Sequence, residues 1–172
     1  MLELVLERCT VRSWRTEDAA SLVMNANSRN VWRNLLESFP SPYTLADAEH
    51  WIRHASSGEP ETHFAIAAEK VAVGGIGFDL LKDVHRRAAR IGYWLGEPYW
   101  GRGIATEALR AVTEHAFSRY DIVRIAATVF EWNPASGRVL EKAGYIQEAR
   151  LRKSVTKDGR TVDCLLYAIV RE

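Results

Sequence analysis

The stretch Tyr93-Trp94-Leu95-Gly96-Glu97-Pro98-Tyr99-Trp100-Gly101-Arg102-Gly103-Ile104-Ala105-Thr106 sets a β-rich run, a short loop with two glycines and the opening of a helical run in succession. Free main-chain N–H groups at a helix start, together with the positive end of the helix dipole, bind phosphate. Gly101 and Gly103 carry no Cβ that would hold an anion away from those amides. Thr106 adds a hydroxyl, and Arg102 a cation where it turns inward. A plain tight turn entering a helix would use the same residue types, so the loop alone leaves both readings open. A kinase-type phosphate loop would end in Gly-Lys-Ser/Thr, which is missing here. A dinucleotide fingerprint would need a third glycine where Thr106 stands. Asp121, at nearly the right distance for a ribose-binding acid, precedes its strand instead of ending it.

Outward from this loop, the residue pattern alternates between two periods. Upstream, His63–Ala68 and Val71–Phe78 read as strands around a tight turn near Glu69-Lys70, and Arg90–Leu95 as a third strand stopped by Gly96-Glu97-Pro98. Downstream, Ile104, Ala108, Val112 and Ala116 recur at helical spacing, and Arg124–Phe130 reads as a strand. Asn133 suits an N-cap, Pro134 the first helical position, and Gly144 the left-handed residue after a helix end. Two final strands flank Lys157-Asp158-Gly159-Arg160, where Asp-Gly is a hairpin signal. Toward the N-terminus, Thr16-Glu17-Asp18 starts a helix through Ala19, Ala20, Leu22 and Val23. A polar loop runs from Asn25 to Pro42. Thr44-Leu45-Ala46-Asp47 has capping-box character and opens a second helix with Ala48, Trp51, Ile52 and Ala55 on one face. The order β-α-α-β-β-β-α-β-α-β-β predicts an α+β fold with a mixed sheet, part antiparallel and part parallel.

At 172 residues the chain suits a single domain, residues 1–172. Folding would remove roughly 70 % of the extended chain's surface from water. With 47 % apolar, 10 % aromatic and 26 % charged residues, disordered, collagenous and coiled-coil classes are excluded. Twenty-three basic against twenty-two acidic residues leave a charge of +1, without the footprint of a nucleic-acid or anionic-membrane partner. No apolar run approaches the roughly 20 residues of a membrane span. The start, Met1 to Arg8, lacks the basic-then-apolar order of a signal peptide. Cys9 and Cys164 have no metal-like spacing and read as free thiols in a reducing, cytoplasmic compartment. His50 and His54 lie one helical turn apart, but Trp51 stands where a metalloprotease places glutamate, so no metal is expected. No Gly-x-Ser-x-Gly elbow supports a hydrolase.

The chain resembles a GCN5-related N-acetyltransferase (GNAT), of the ribosomal-protein alanine N-acetyltransferase (RimJ/RimL-like) branch. Trp100-Gly101-Arg102-Gly103-Ile104-Ala105 matches the family's pyrophosphate motif, Gln/Arg-x-x-Gly-x-Gly/Ala, except that Trp100 replaces its first polar residue. Asn133-Pro134-Ala135-Ser136-Gly137-Arg138-Val139-Leu140-Glu141-Lys142-Ala143-Gly144-Tyr145 matches the branch's Asn-x-x-Ser…Leu-Glu-Lys-x-Gly-aromatic signature. Phe39-Pro40-Ser41-Pro42-Tyr43-Thr44 and the Asp158-Gly159 hairpin also fit, so the likeness covers nearly the whole chain.

The resemblance implies a mostly antiparallel sheet of about six to seven strands with one splayed parallel pair and about four helices. It implies acetyl-CoA as co-substrate in the cleft between those strands, an amine acceptor, and a homodimer by kinship. Main-chain groups near Trp94 and Leu95 would meet the pantetheine arm. Amides from Gly101, Arg102, Gly103, Ile104, Ala105 and Thr106 would hold the pyrophosphate, with Asn133 and Ser136 near the thioester. A main-chain N–H of the Tyr93–Leu95 strand would face the oxyanion.

The implied reaction is direct attack of a neutral amine on the thioester, with a protein or peptide N-terminus or a small-molecule amine as acceptor. Glu131, just after the Arg124–Phe130 strand, is the candidate base, directly or through water. Many relatives place a tyrosine seven positions after the residue matching Asn133. Leu140 stands there and cannot donate a proton, which leaves Ser136 as the hydroxyl for the leaving thiolate. Trp32, Asn34, Phe39 and Tyr43, in an aromatic and amide-rich loop, are candidate acceptor-pocket residues; the alternative is that these aromatics pin a helix-helix connection. The alternative function is a non-catalytic acyl-CoA-binding module with the same fold.

Overall fold

A computed structural model describes residues 1–172. Its strands are β1 (Glu3–Val5), β2 (Thr10–Arg12), β3 (His63–Ala68), β4 (Val71–Leu80), β5 (Ala88–Leu95), β6 (Arg124–Phe130), β7 (Ile146–Lys157) and β8 (Arg160–Val170). Its helices are α1 (Ala19–Ala26), α2 (Arg29–Trp32), α3 (Leu45–Ser56), α4 (Ile104–Arg119) and α5 (Pro134–Lys142). The strands form one eight-stranded sheet in the order β1-β2-β3-β4-β5-β6-β8-β7. All neighbours are antiparallel except β5 and β6.

The parallel pair is short. Ala88 lies opposite Arg124, Ala89 opposite Ile125 and Arg90 opposite Ala126, and pairing then stops. Beyond that point β5 stays with β4 until Leu95 faces Gly74, and β6 stays with β8 until Phe130 faces Cys164. Each strand keeps its outer partner, so the two carboxyl ends part and a gap opens between residues 91–95 and 127–130.

Local chemistry accounts for most element ends. The β3–β4 turn places Glu69 and Lys70 at positive φ, and the β7–β8 turn does the same with Asp158 and Gly159. Thr44 and Asp47 form a reciprocal capping box at α3: Asp47 N–H donates to Thr44 Oγ1 at 3.2 Å and Thr44 N–H to Asp47 Oδ2 at 2.8 Å. Gly144 takes φ +95° after α5.

Two details depart from the sequence reading. The segment up to Arg12 forms two short strands, because it turns back after Val5 and the Leu6 N–H donates to the Cys9 carbonyl. The polar loop from Asn25 contains the end of α1 and the one-turn helix α2, whose N-cap Ser28 accepts from the Val31 N–H. These additions raise the counts to eight strands and five helices.

Period-two alternation feeds both faces of the sheet. On one face, Phe64, Ile66, Ile91, Leu95 and Ile125 pack under Leu109 and Val112 of α4 and Leu140 of α5. On the other, Ala65 and Ala72 meet Leu22 of α1, Ala48 and Ile52 of α3, Trp14 and Tyr43. No helix is long and apolar enough to cross a membrane.

Arg12 and Asp18, each 4 % exposed, form a two-pronged ion pair at 2.7 and 2.8 Å that ties β2 to the entry of α1. Asp18→Asn would leave the guanidinium buried and unpaired, and it should lower unfolding free energy by about 3–5 kcal/mol in urea titration. Asp121→Asn at the exposed Arg87–Asp121 pair should change it by less than about 1 kcal/mol.

Candidate active site

The carboxyl end of β5 leads through Gly96–Trp100 into α4. Gly101 and Gly103 adopt φ +72° and +77°, so the loop needs glycine for its backbone path as well as for the missing Cβ. The Trp100 indole N–H donates to the Leu95 carbonyl at 2.7 Å and fastens the loop to the strand end. That contact gives Trp100 a job in place of the polar side chain at this motif position. None of the six main-chain N–H groups from Gly101 to Thr106 donates to a protein acceptor. Ile104 is buried and anchors the helix, while Ala105 and Thr106 are half-buried at its first turn. Six free amides at the positive end of a sixteen-residue helix make an anion-binding surface. Arg102 points elsewhere: its guanidinium lies 5.3 Å over the Tyr99 ring.

In the gap, strand geometry decides which main-chain groups are free. The Leu81 N–H donates to the Ala88 carbonyl and the Gly96 N–H to the Val73 carbonyl, and the β4–β5 ladder between them alternates. The main chain of Trp94 therefore faces β4; a Cβ on Gly74 would stand 2.3 Å from the Trp94 carbonyl oxygen. The main chains of Tyr93 and Leu95 face the gap. The expected main-chain contact at Trp94 is thus corrected: that backbone belongs to the β4 ladder, and its indole packs over Gly75.

Across the gap stands Ser136 in the first turn of α5. Asn133 caps this helix, its side-chain oxygen accepting from the Ser136 N–H at 3.4 Å. Ser136 Oγ lies 2.8 Å from the Tyr93 hydroxyl, and the Tyr93 hydroxyl lies 3.2 Å from the Ser136 carbonyl oxygen as a donor to it. Burial, partly offset by Ser136, pushes the Tyr93 phenol up to about 12, so it stays protonated at neutral pH. The Tyr93 side chain escaped the sequence reading. Alternation with Ile91 and Leu95 was the signal that puts it on the α5 side. Leu140 is fully buried in the core.

Glu131 does not serve the gap. One carboxylate oxygen accepts from the Asp163 N–H at 3.1 Å and the other pairs with Arg150. Both partners lie on the β7–β8 side of β6, away from β5, so the sequence-based assignment of Glu131 as base is corrected.

The segment from Ser28 to Asn34 spans the mouth of the gap. At the β5 end, Glu97 accepts from Ser28 Oγ at 2.6 Å and Asn30 Nδ2 at 2.9 Å, which holds its carboxyl below the usual range. At the β6 end, Trp132 Nε1 donates to Asn34 Oδ1 at 3.1 Å. Asn34 is thus the one expected pocket residue that reaches the mouth through a polar bond. Trp32 instead covers Lys157, whose 1 %-exposed ammonium lies 3.6 Å from the ring centre. Tyr43 is 5 % exposed in the second core, and Phe39 joins it at 5.0 Å and Trp94 at 5.5 Å. The pocket assignment of Trp32 and Tyr43 is corrected to packing. Trp132, Glu97 and Lys157 escaped the sequence reading because their partners are about 70 to 120 residues away.

Comparison with known proteins matches residues 8–146 to the model of the acetyltransferase (GNAT) domain. The chain belongs to the GNAT family of N-acetyltransferases. It is 39 % identical over 102 residues to the uncharacterized N-acetyltransferase YoaA of Bacillus subtilis, covering 59 % of this chain and 57 % of that protein. It is 31 % identical over 105 residues to the ribosomal-protein-serine acetyltransferase of Escherichia coli, covering 61 % and 58 %. The chain therefore spans less than two thirds of these curated relatives. Mycobacterium smegmatis RimJ in complex with CoA-disulfide superposes with a TM-score of 0.83 at 26 % identity, covering 94 % of this chain and 81 % of RimJ. Within the GNAT family the chain is RimJ/RimL-like, with the mixed sheet and splayed parallel pair of that fold.

Gly101→Ala meets no neighbour within 4 Å, so its cost isolates the backbone term. It should lower unfolding free energy by about 1–2 kcal/mol. Gly92→Ala, equally free of neighbours and without positive φ, should stay within about 0.5 kcal/mol in the same urea titration.

Proposed function

We propose that this GNAT protein transfers the acetyl group of acetyl-CoA to the α-amine of a protein or peptide N-terminus or of a small molecule. The observation that carries the reading is the row of six free amides from Gly101 to Thr106, at the end of the strand that borders the open gap. The fit to coenzyme A is chemical: a diphosphate needs converging donors, and an amide-bearing arm needs an unpaired strand edge. The amides of Gly101, Arg102, Gly103, Ile104, Ala105 and Thr106 hold the diphosphate, and the main chain of Tyr93 and the Leu95 N–H meet the arm. Asn133 keeps Ser136 in place at the first turn of α5.

When bound, acetyl-CoA supplies an acyl thioester, whose carbonyl carbon bonds to the amine nitrogen as the carbon–sulfur bond breaks and a thiolate leaves. The chain's hydroxyl pair supplies the proton that this thiolate takes, and it is restored by the proton that the nitrogen, positively charged after attack, gives up through water. When the Tyr93 hydroxyl turns from the Ser136 carbonyl to Ser136 Oγ, the serine hydrogen is free to turn toward the gap, and the neutral phenol replaces it. A main-chain N–H on the β5 edge faces the oxyanion.

The amine must lose its proton first. Because Glu131 is held by Arg150 and Asp163, that proton goes to water. Deprotonation at pH 7 costs roughly 1 kcal/mol for an α-amine but about 4.6 kcal/mol for a lysine. A site that relies on water therefore favours α-amines. The name of the Escherichia coli relative, a ribosomal-protein-serine acetyltransferase, is in keeping with a protein acceptor.

Calorimetry should show coenzyme A binding, and free thiol should appear when acetyl-CoA is mixed with a panel of N-terminal peptides. Ser136→Ala should lower kcat about ten- to hundredfold, with coenzyme A affinity within about twofold. The pH profile of kcat/KM should rise through the acceptor's own pKa, near 8 for an α-amine. Tyr93, at about 12, should bring no fall below pH 10. Tight coenzyme A binding with no thiol release on any amine would make the protein a binding module instead.

A further inference from the structure

Trp132 sits just beyond β6, at the mouth of the gap, with its indole N–H bonded to Asn34. Two guanidinium groups lie over its ring: Arg33 at 5.4 Å and Arg160 at 5.6 Å from the ring centre. They arrive from different directions, Arg33 just after α2 and Arg160 at the start of β8. Neither forms an ion pair, and neither donates a side-chain hydrogen bond.

The nearby carboxylates are already engaged. Asp158 pairs with Arg29, and Glu37 faces Lys157 and accepts from the Asp158 N–H. Glu131 and Asp163 both pair with Arg150. Two like charges over one ring repel, and no carboxylate pairs with either of them. Each guanidinium carries five donors in a planar fork suited to a carboxylate or phosphate. Both forks lie over the ring with their donors unused.

We infer that Arg33 and Arg160 form an anion-recognition subsite at the acceptor end of the gap, and that the acceptor carries a carboxylate or phosphate close to the amine that is acetylated. This deepens the transfer reading proposed above and rests on it for the identity of the acceptor. It separates α-amines with an acidic neighbour from polyamines, whose extra positive charges these groups would repel.

Three matched acceptor pairs test it, each differing in one acidic group: a Ser-Glu against a Ser-Gln peptide, a free amino acid against its amide, and phosphoserine amide against serine amide. At least one anionic member should exceed its neutral partner about tenfold in kcat/KM. The pair that does so tells an acidic side chain from a free carboxylate or a phosphate. In the Arg33→Gln/Arg160→Gln double variant the ratio should fall to near one, and Arg33→Lys/Arg160→Lys should keep part of it, since charge without the fork remains. Coenzyme A affinity and circular dichroism check that the variants fold. The acetylated products, which cannot be turned over, should bind wild-type protein with the same charge preference in calorimetry. Equal rates within all three pairs, a preference that survives the glutamine double variant, or products that bind equally or fail to bind would overturn the subsite. Absence of thiol release with every acceptor would overturn the transfer reading instead, while product binding still decides the subsite.

Discussion

Two parallel strands that pair for three residues and then separate govern the rest of this structure. β5 and β6 each remain bonded on the outer side, to β4 and β8, so their separation costs no strand its fold. It does leave the main-chain groups of Tyr93 and the Leu95 N–H without a strand to pair with, while the Leu95 carbonyl accepts from Trp100. Unpaired groups inside a protein are expensive, and they persist where another partner meets them. The Tyr93–Ser136 hydroxyl pair bridges the gap at one point, and Ser28–Asn34 roofs its mouth. The row of free amides at the start of α4 stands beside it, carried there by the Trp100 bond to Leu95. Strand edge, hydroxyl pair and helix mouth thus face one space.

What was legible in the sequence was what local rules control. The bounds Arg124–Phe130, the Asn133 cap with Pro134, the Gly144 end and the Asp158-Gly159 turn all follow from side chains acting within a few residues. The helix from Ile104 followed from apolar spacing alone. The same locality explains why α2 was missed. A one-turn helix buries too little to imprint a period, and only the Ser28 cap marks it.

The candidate site was legible in part for the same reason. The glycine loop and Ser136 announce themselves by type and neighbours. Glu131 read as a base because a carboxylate after a strand is chemically able, yet Arg150 and Asp163, from a later hairpin, claim it. Trp32 and Tyr43 read as pocket aromatics, yet Lys157 and the α1–α3 core claim those rings. In each case a partner remote in sequence decided the role. The loss of Glu131 bears on the proposed transfer: with water as the proton acceptor, that reaction would favour amines already partly neutral at pH 7.

On the proposed function, the free amides at the start of α4 and the open edge of β5 hold one extended ligand. Titrating coenzyme A into 15N-labelled protein and following amide resonances tests this most directly. The largest shifts are expected at Gly101–Thr106, with Tyr93 and Leu95 moving at the same ligand concentration. Saturating coenzyme A that leaves those amides unmoved, or that shifts only residues remote from the gap, would contradict it.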